Sequence, residues 1–296
     1  MFGILNVNKP PGWTSRDALN RIEGLVRPVK AGHAGTLDPL AKGVLVVCVG
    51  AATRLIDYVQ RMPKEYLATF LLGRRSASDD VDSEVELVAE APQPSREAIE
   101  AALPQFVGVI EQRPPAFSAV KVEGQRSYRL ARRGDAVELA SRAVEIYQLV
   151  IERYEYPELE LNFRCGSGTY VRSLGRDLAG TLGTHAVMSA LVRTAVGGFR
   201  IEEAMDARGP DLDRLRKHLQ SPLAAVPHLP RLALTEEQVF EVQHGGLINR
   251  DNLPAELRAS SAETFAAIDE RQELIALMTE ARPGWLKPSP NFLQPA

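Results

Sequence analysis

One carboxylate, Asp38, stands in the run Gly32-His33-Ala34-Gly35-Thr36-Leu37-Asp38-Pro39-Leu40-Ala41, and the apolar run 44–49 follows almost at once. Glycines let a backbone pass close to a ligand, and Pro39 pins the chain just after the acid. A protein presents a catalytic carboxylate in this way, but an ordinary Asx turn has the same pattern, and spacing alone favours the turn. Three residues could join Asp38 in one site. Tyr66, after Lys64-Glu65 at the start of a strand, could stack on an aromatic base or be a plain sheet tyrosine. Arg172, on the first turn of a helix, could pair with the acid or be an exposed surface arginine. Lys9, in the turn Asn8-Lys9-Pro10-Pro11-Gly12, could reach the site or stay solvated. His33 stands beside the acid, where a loop histidine is usually a hydrogen-bonding group.

Familiar alternatives fail. Gly166-Ser167-Gly168 lacks the third glycine of a dinucleotide loop and a suitable βαβ unit around it. There is no Walker loop and no nucleophile elbow. Asp80-Val81-Asp82-Ser83-Glu84 alternates like a calcium loop but has Val85 where the sixth-position glycine belongs, so 76–86 reads as a solvated acidic loop. The five histidines show no metal spacing. No second carboxylate sits in a comparable glycine-framed loop, which argues against a two-carboxylate glycoside hydrolase.

The elements that must position these residues follow from periodicity. The 296 residues are 45% apolar, enough for a large core, with 35 basic and 38 acidic side chains and a net charge of −3. That total does not advertise a nucleic-acid binder. It hides an uneven distribution: 113–133 carries Arg113, Lys121, Arg126, Arg129, Arg132 and Arg133 against Glu123 alone. Such a patch can meet a phosphate backbone. Cys48 and Cys165 are expected as buried free thiols in a reducing compartment, and the chain shows no signal peptide and no spanning segment, so a cytoplasmic location is expected.

Strands are expected at 4–7, 44–49, 64–72, 143–154 and 158–165, with two more between Gly108 and Val122 broken by Pro114-Pro115. Helices are expected after a Thr14 or Ser15 cap, at 53–60, 95–106, 126–133 and 169–182. The elements alternate without a regular βαβ period, so the fold class is α+β with a mixed, mainly antiparallel sheet. Prolines from Pro222 to Pro230 read as a linker. Beyond it, a capping box Thr235-Glu236-Glu237-Gln238 and a hairpin, 264–268 with 274–279, suggest a small β-rich module.

Taken together, the motifs resemble the TruB family of tRNA pseudouridine synthases in its bacterial form. The resemblance runs through Asn8–Ser15, the Asp38 run, Lys64-Glu65-Tyr66, Gln112–Gly124 with Ala131–Gly134, Gly168-Thr169-Tyr170-Val171-Arg172-Ser173-Leu174 and Leu191-Val192-Arg193-Thr194, in the family's order. One departure is the serine-rich Ser76–Ser83 loop, which usually ends in glycine. The resemblance implies isomerisation of uridine 55 in the tRNA T loop to pseudouridine by base flipping, without cofactor or metal, and an accompanying tRNA-folding role. It implies Asp38 as the catalytic carboxylate, with Tyr66, Arg172, Leu191, Tyr170 and Lys9 about the substrate pocket. His33, Arg113, Lys121, Arg126, Arg129, Arg132, Arg133 and Arg193 would touch RNA. It further implies a catalytic domain at 1–228, including a basic segment at about 104–140, and a PUA-like RNA-binding domain at 229–296. The partner is tRNA, with no membrane and no obligate protein partner. The chain lacks the lysine-rich tail of the guide-RNA-dependent, dyskerin-type relatives.

Overall fold

A computed structural model describes residues 1–117 and 139–293, and between them the backbone of two short strands. The strands are β1 Gly3–Lys9, β2 Ala31–His33, β3 Lys42–Val49, β4 Lys64–Leu72, β5 Arg74–Ser76, β6 Val85–Leu87, β7 Gly108–Gln112, β8 Lys121–Val122, β9 Gln125–Arg126 and β10 Arg142–Glu155. They continue with β11 Glu158–Cys165, β12 Ala186–Val196, β13 Phe199–Arg200 and β14 Met205–Asp206, then β15 Arg231–Ala233, β16 Ile248–Asn249, β17 Thr264–Ile268, β18 Leu274–Arg282 and β19 Trp285–Asn291. A ten-stranded sheet runs in the order β14-β1-β3-β12-β4-β11-β10-β7, with β2 on β3 and β13 on β12. The β1–β14 and β12–β3 pairs are parallel and the rest of this sheet is antiparallel, as expected for the α+β class.

Side chains alternate across a strand, and β3 shows why this sheet is buried on both sides. Val44, Val46 and Cys48 pack with Leu55 and Val59, while Leu45, Val47 and Val49 pack with Leu19 and Ile22 of the helix Ser15–Val26. On β4, Tyr66, Ala68, Phe70 and Leu72 face the helix Val171–Thr181 through Leu174 and Leu178. Burying one such side chain contributes about 1.5–3 kcal/mol. An exposed ion pair such as Arg96–Glu100 contributes at most about 1 kcal/mol, so the core fixes the scaffold.

Several expectations shift. The segment expected as one helix at 53–60 is a 3₁₀ turn, Gly50–Leu55, followed by one α-turn and a half, Ile56–Arg61, ending before Pro63. Of the helix expected at 126–133, Arg126 belongs to the short strand β9 and the remaining residues lie outside the described ones. The proline-rich stretch expected as a linker is packed: Pro222–Ala225 forms a 3₁₀ turn, and Ala225 and Val226 are fully buried. They join one apolar cluster with Ile4 and Val44 of the large sheet, with Ala266, Leu274 and Leu277 of a second, five-stranded sheet, β15-β17-β18-β19-β16, and with Phe292 just after β19. That second sheet carries the expected capping box at Thr235 and the expected hairpin.

Candidate active site

The catalytic loop is held from below before any chemistry is considered. Thr14 caps the first helix in a reciprocal box with Asp17. That frees the hydroxyl of Ser15, which donates to the Leu37 carbonyl (3.1 Å) and accepts from the Leu37 amide (2.8 Å). Lys9 is fully buried, and its ammonium donates to the carbonyls of Trp13 (2.6 Å), Pro10 (3.0 Å) and Pro39 (3.5 Å). Burial, with Arg193 as the next cause, lowers its pKa to about 8. Lys9 therefore props the loop from behind and is not part of the pocket lining, a correction to the expected pocket role. Arg193 does line the cavity, but it too is held by backbone carbonyls. It is 2% exposed, and its guanidinium donates to the carbonyls of Val44 (2.7 Å), Gly35 (3.3 Å) and Thr36 (3.4 Å). A side chain spent on three carbonyls inside the protein is a brace for the Asp38 loop, not a surface contact for phosphates.

Above this frame lies a cavity of about 730 Å³, lined by Asp38, Tyr66, Arg172, Leu191, Tyr170, His33 and Lys64 among others. Its size suits a small ligand or one nucleotide's base and sugar. The structure thus brings together Asp38 and four of the five residues expected about it, from four separate stretches of sequence. Arg172 is buried rather than exposed, and one of its Nη atoms lies 3.0 Å from Asp38 Oδ2. Tyr66 is buried against Phe163, ring centroids 5.4 Å apart. Burial pushes its phenol pKa up, with Arg193 opposing, so the hydroxyl keeps its proton. His33 is half-buried, and burial followed by Arg193 lowers its pKa, which keeps the imidazole neutral. Lys64, unremarked in the sequence except as part of a motif, also lines the cavity. Its ammonium donates to the Gln60 carbonyl.

The acidic loop is the largest correction. Expected to be solvated, it folds onto the site: Asp80 is 2% exposed and lies 3.3 Å from the other Nη of Arg172. Ser78 donates to Asp80, and the Ser78 carbonyl accepts from Arg172 at 3.0 Å. Asp79, at φ 60°, pairs with Arg176 at 2.9 Å. Asp82 also lines the cavity, so Asp38 is not the lone carboxylate there. Pairing with an arginine supplies what burial of Asp80 requires. Alternating acids around a missing glycine could not reveal a partner ninety residues away.

Gln112 is a further residue the sequence did not single out. Its buried amide accepts from the Tyr170 amide (2.7 Å) and donates to the Tyr170 carbonyl (3.0 Å), fixing the start of the Val171–Thr181 helix. Arg113 is exposed, while its carbonyl accepts from Ser173 (2.8 Å) and Arg176 (2.9 Å). The side chains of Lys121, Arg126, Arg129, Arg132 and Arg133 lie outside the described residues.

Residues 23–171 match the family model described as TruB family pseudouridylate synthase (N terminal domain). The chain belongs to this TruB family. The tRNA pseudouridine synthase B of Rhodopirellula baltica is 40% identical over 259 residues, 82% of this chain and 74% of that one. The protein of that name from Dehalococcoides mccartyi is 37% identical and covers 100% of this chain and 98% of its own. Among solved structures, a chain of a Cbf5-Nop10-Gar1 complex superposes with a TM-score of 0.75 at 26% identity, covering 99% of this chain and 85% of that one. As a TruB-family member the chain is a pseudouridine synthase, an isomerase. Its large mixed sheet is the synthase fold, and the five-stranded C-terminal part is consistent with a PUA-like module.

Proposed function

We propose that this TruB-family enzyme isomerises uridine 55 in the T loop of tRNA, acting alone without a guide RNA. The observation that carries the reading is the Asp38–Arg172 pair at the mouth of a cavity lined by Tyr66 and Leu191. Relatives matching 82% and 100% of the chain bear the name tRNA pseudouridine synthase B.

The chemistry fits these groups. The N1–C1′ bond of the uridine breaks, the uracil turns, and C5 bonds to C1′. The C5 proton leaves and N1 gains one, so nothing is oxidised or reduced. Asp38 as a carboxylate can act at the sugar, by attack on C1′ or by taking the C2′ proton. In either role Arg172 sets its direction, since a paired guanidinium holds the oxygens at fixed positions. Tyr66, neutral and buried, stacks under the uracil and assists removal of the C5 proton. Leu191 completes an apolar floor on which the detached base can turn.

A target stacked inside a folded loop must first leave the stack, at a cost of a few kcal/mol. His33, at the cavity mouth, is placed to fill the space left behind. Arg113 and the basic segment after it grip phosphates, so binding weakens as salt rises. The C-terminal module, from about residue 229, extends the RNA contact.

Chemical mapping of pseudouridine on unmodified tRNA tests the reading. Wild type should mark position 55, and Asp38→Asn should leave it unmarked while still binding the tRNA. Turnover by Asp38→Asn would sink the assignment of Asp38, and release of free uracil would point to a hydrolase instead.

A further inference from the structure

One side of the cavity mouth is not used by the groups above. Its rim is the turn Gly166-Ser167-Gly168 with Arg142, beside Tyr170. Arg142 donates to the Gly168 carbonyl and lies over the Tyr170 ring, 4.5 Å from its centroid. Just outside this rim β10 carries a bulge: Ile146 faces Cys165 and Gln148 faces Arg164, which leaves Tyr147 as the extra residue. A bulge re-aims the side chain it carries, and bulges recur next to active sites. The Tyr147 hydroxyl lies close against the rim, since a Cβ on Gly166 would come within 3.3 Å of it. Tyr147 is 43% exposed, with the Arg164 guanidinium 5.5 Å from its ring centroid. Arg164 covers one face of the ring, so the other face is the one open to a ligand.

Two aromatic rings, each with an arginine, thus lie on either side of one Gly-Ser-Gly turn: Tyr170 with Arg142 in the cavity lining, and Tyr147 with Arg164 outside it, around the end of the strand. Exposed rings beside arginines are how proteins hold unpaired nucleotides: the ring stacks on a base of any identity and the cation meets the phosphate. The two glycines leave room for a strand to pass close. We propose that Tyr147 and Arg164 form a subsite for the nucleotide adjoining the target uridine, Tyr147 stacking its base and Arg164 contacting its phosphate. The inference rests on the reading of the cavity as a uridine site in RNA. A base that leaves its stack uncovers a face of its neighbour, and Tyr147 re-covers it.

The test uses the Asp38→Asn protein and two T-stem-loop hairpins carrying 2-aminopurine on the 5′ or the 3′ side of the target. Binding should change the fluorescence of one hairpin. Tyr147→Ala should weaken binding about tenfold, about 1.4 kcal/mol, and remove that change, while Tyr147→Phe keeps both. Arg164→Ala should flatten the plot of log affinity against log salt by roughly 0.7, one phosphate's worth on a single strand. Unchanged affinity, fluorescence and salt slope in Tyr147→Ala and Arg164→Ala, with melting temperatures equal to the parent's, would overturn the subsite. Wild type assayed on the unlabelled hairpin separates the two ideas. Absence of pseudouridine there counts against the function, whereas the affinities in the Asp38→Asn protein still decide the subsite.

Discussion

Arg172 divides one guanidinium between two carboxylates, Asp38 at 3.0 Å and Asp80 at 3.3 Å. The two ends differ. The Asp80 side chain is 3% exposed and that of Asp38 is 39% exposed. Asp80 is the anchored end, and Asp38 is the end presented to substrate. Lysine has no fork with which to span both. Arg172→Lys should therefore lower kcat by about 100-fold or more, the scale of a misplacement of about 1 Å. Asp80→Asn should give a smaller loss of the same kind, in kcat rather than KM. Single-turnover assays on tRNA check both, and an Asp80→Asn enzyme with wild-type kcat would refute the anchoring role.

Ser15 satisfies both backbone groups of Leu37, one residue before the catalytic acid. Ser15→Ala leaves a buried N–H and C=O unpaired, a cost of about 1–3 kcal/mol. The expected outcome is a melting temperature lower by several degrees, with kcat reduced and RNA affinity little changed. Calorimetry and a filter-binding titration read the two effects separately.

Gly175 lies one turn after Arg172, directly on the buried Phe70 ring of the strand that carries Tyr66. A Cβ there would come within 2.0 Å of Phe70 Cε1. The helix carrying the arginine and the strand carrying the tyrosine are thus spaced by the absence of one methyl group. Gly175→Ala should destabilise the fold by at least about 1–3 kcal/mol, the usual cost of overpacking, and separate Arg172 from Tyr66. Adding Phe70→Leu should recover part of the stability, and urea unfolding of the single and double variants measures this.

Lys64 gives a pH signature. Burial, then Arg193, lowers its pKa from 10.5 to about 8. Between those values the unfolded chain keeps a proton that the folded one has lost, so this group makes stability rise with pH across the window. Below pH 8 the buried charge is a standing cost. The stability of wild type relative to Lys64→Met should therefore climb between pH 8 and pH 10.5, by up to about 3 kcal/mol. Taking the difference removes the opposing drift of the buried thiols, since burial raises Cys48 to about 12 and Cys165 to about 11. A flat difference across the window would refute it.

Much of the fold was legible because its signals are local. The strand at 64–72 alternates in burial residue by residue, as its period of two requires. The capping box at Thr235 is written in four consecutive residues, and of the two cap candidates Thr14 and Ser15 the structure selects Thr14. Asp38, Tyr66 and Arg172 were legible because their motifs are contiguous. What the sequence did not yield depends on partners far along the chain. Lys9 and Arg193 look like surface cations until the carbonyls of the 35–39 loop are seen to occupy them. Asp80 looks solvated until Arg172 reaches it. The stretch from Pro222 to Pro230 has a linker's composition, yet Pro222, Ala225 and Val226 are buried, because Ala225 and Val226 meet two sheets at once.

That last contact has a mechanical consequence. Phe292 stacks on Phe2, centroids 5.4 Å apart, and Arg54 donates to the Asn291 carbonyl at 2.6 Å, so the last strand of the second sheet is fastened to the first residues of the chain. With Ala266, Leu274 and Leu277 sharing one oily seam with Val44 and Val46, the two sheets are welded rather than tethered. Cutting the chain near residue 229 would open that seam to water, so the larger piece should clump rather than survive as a smaller enzyme. Heated intact, the protein should lose both sheets in a single melting event.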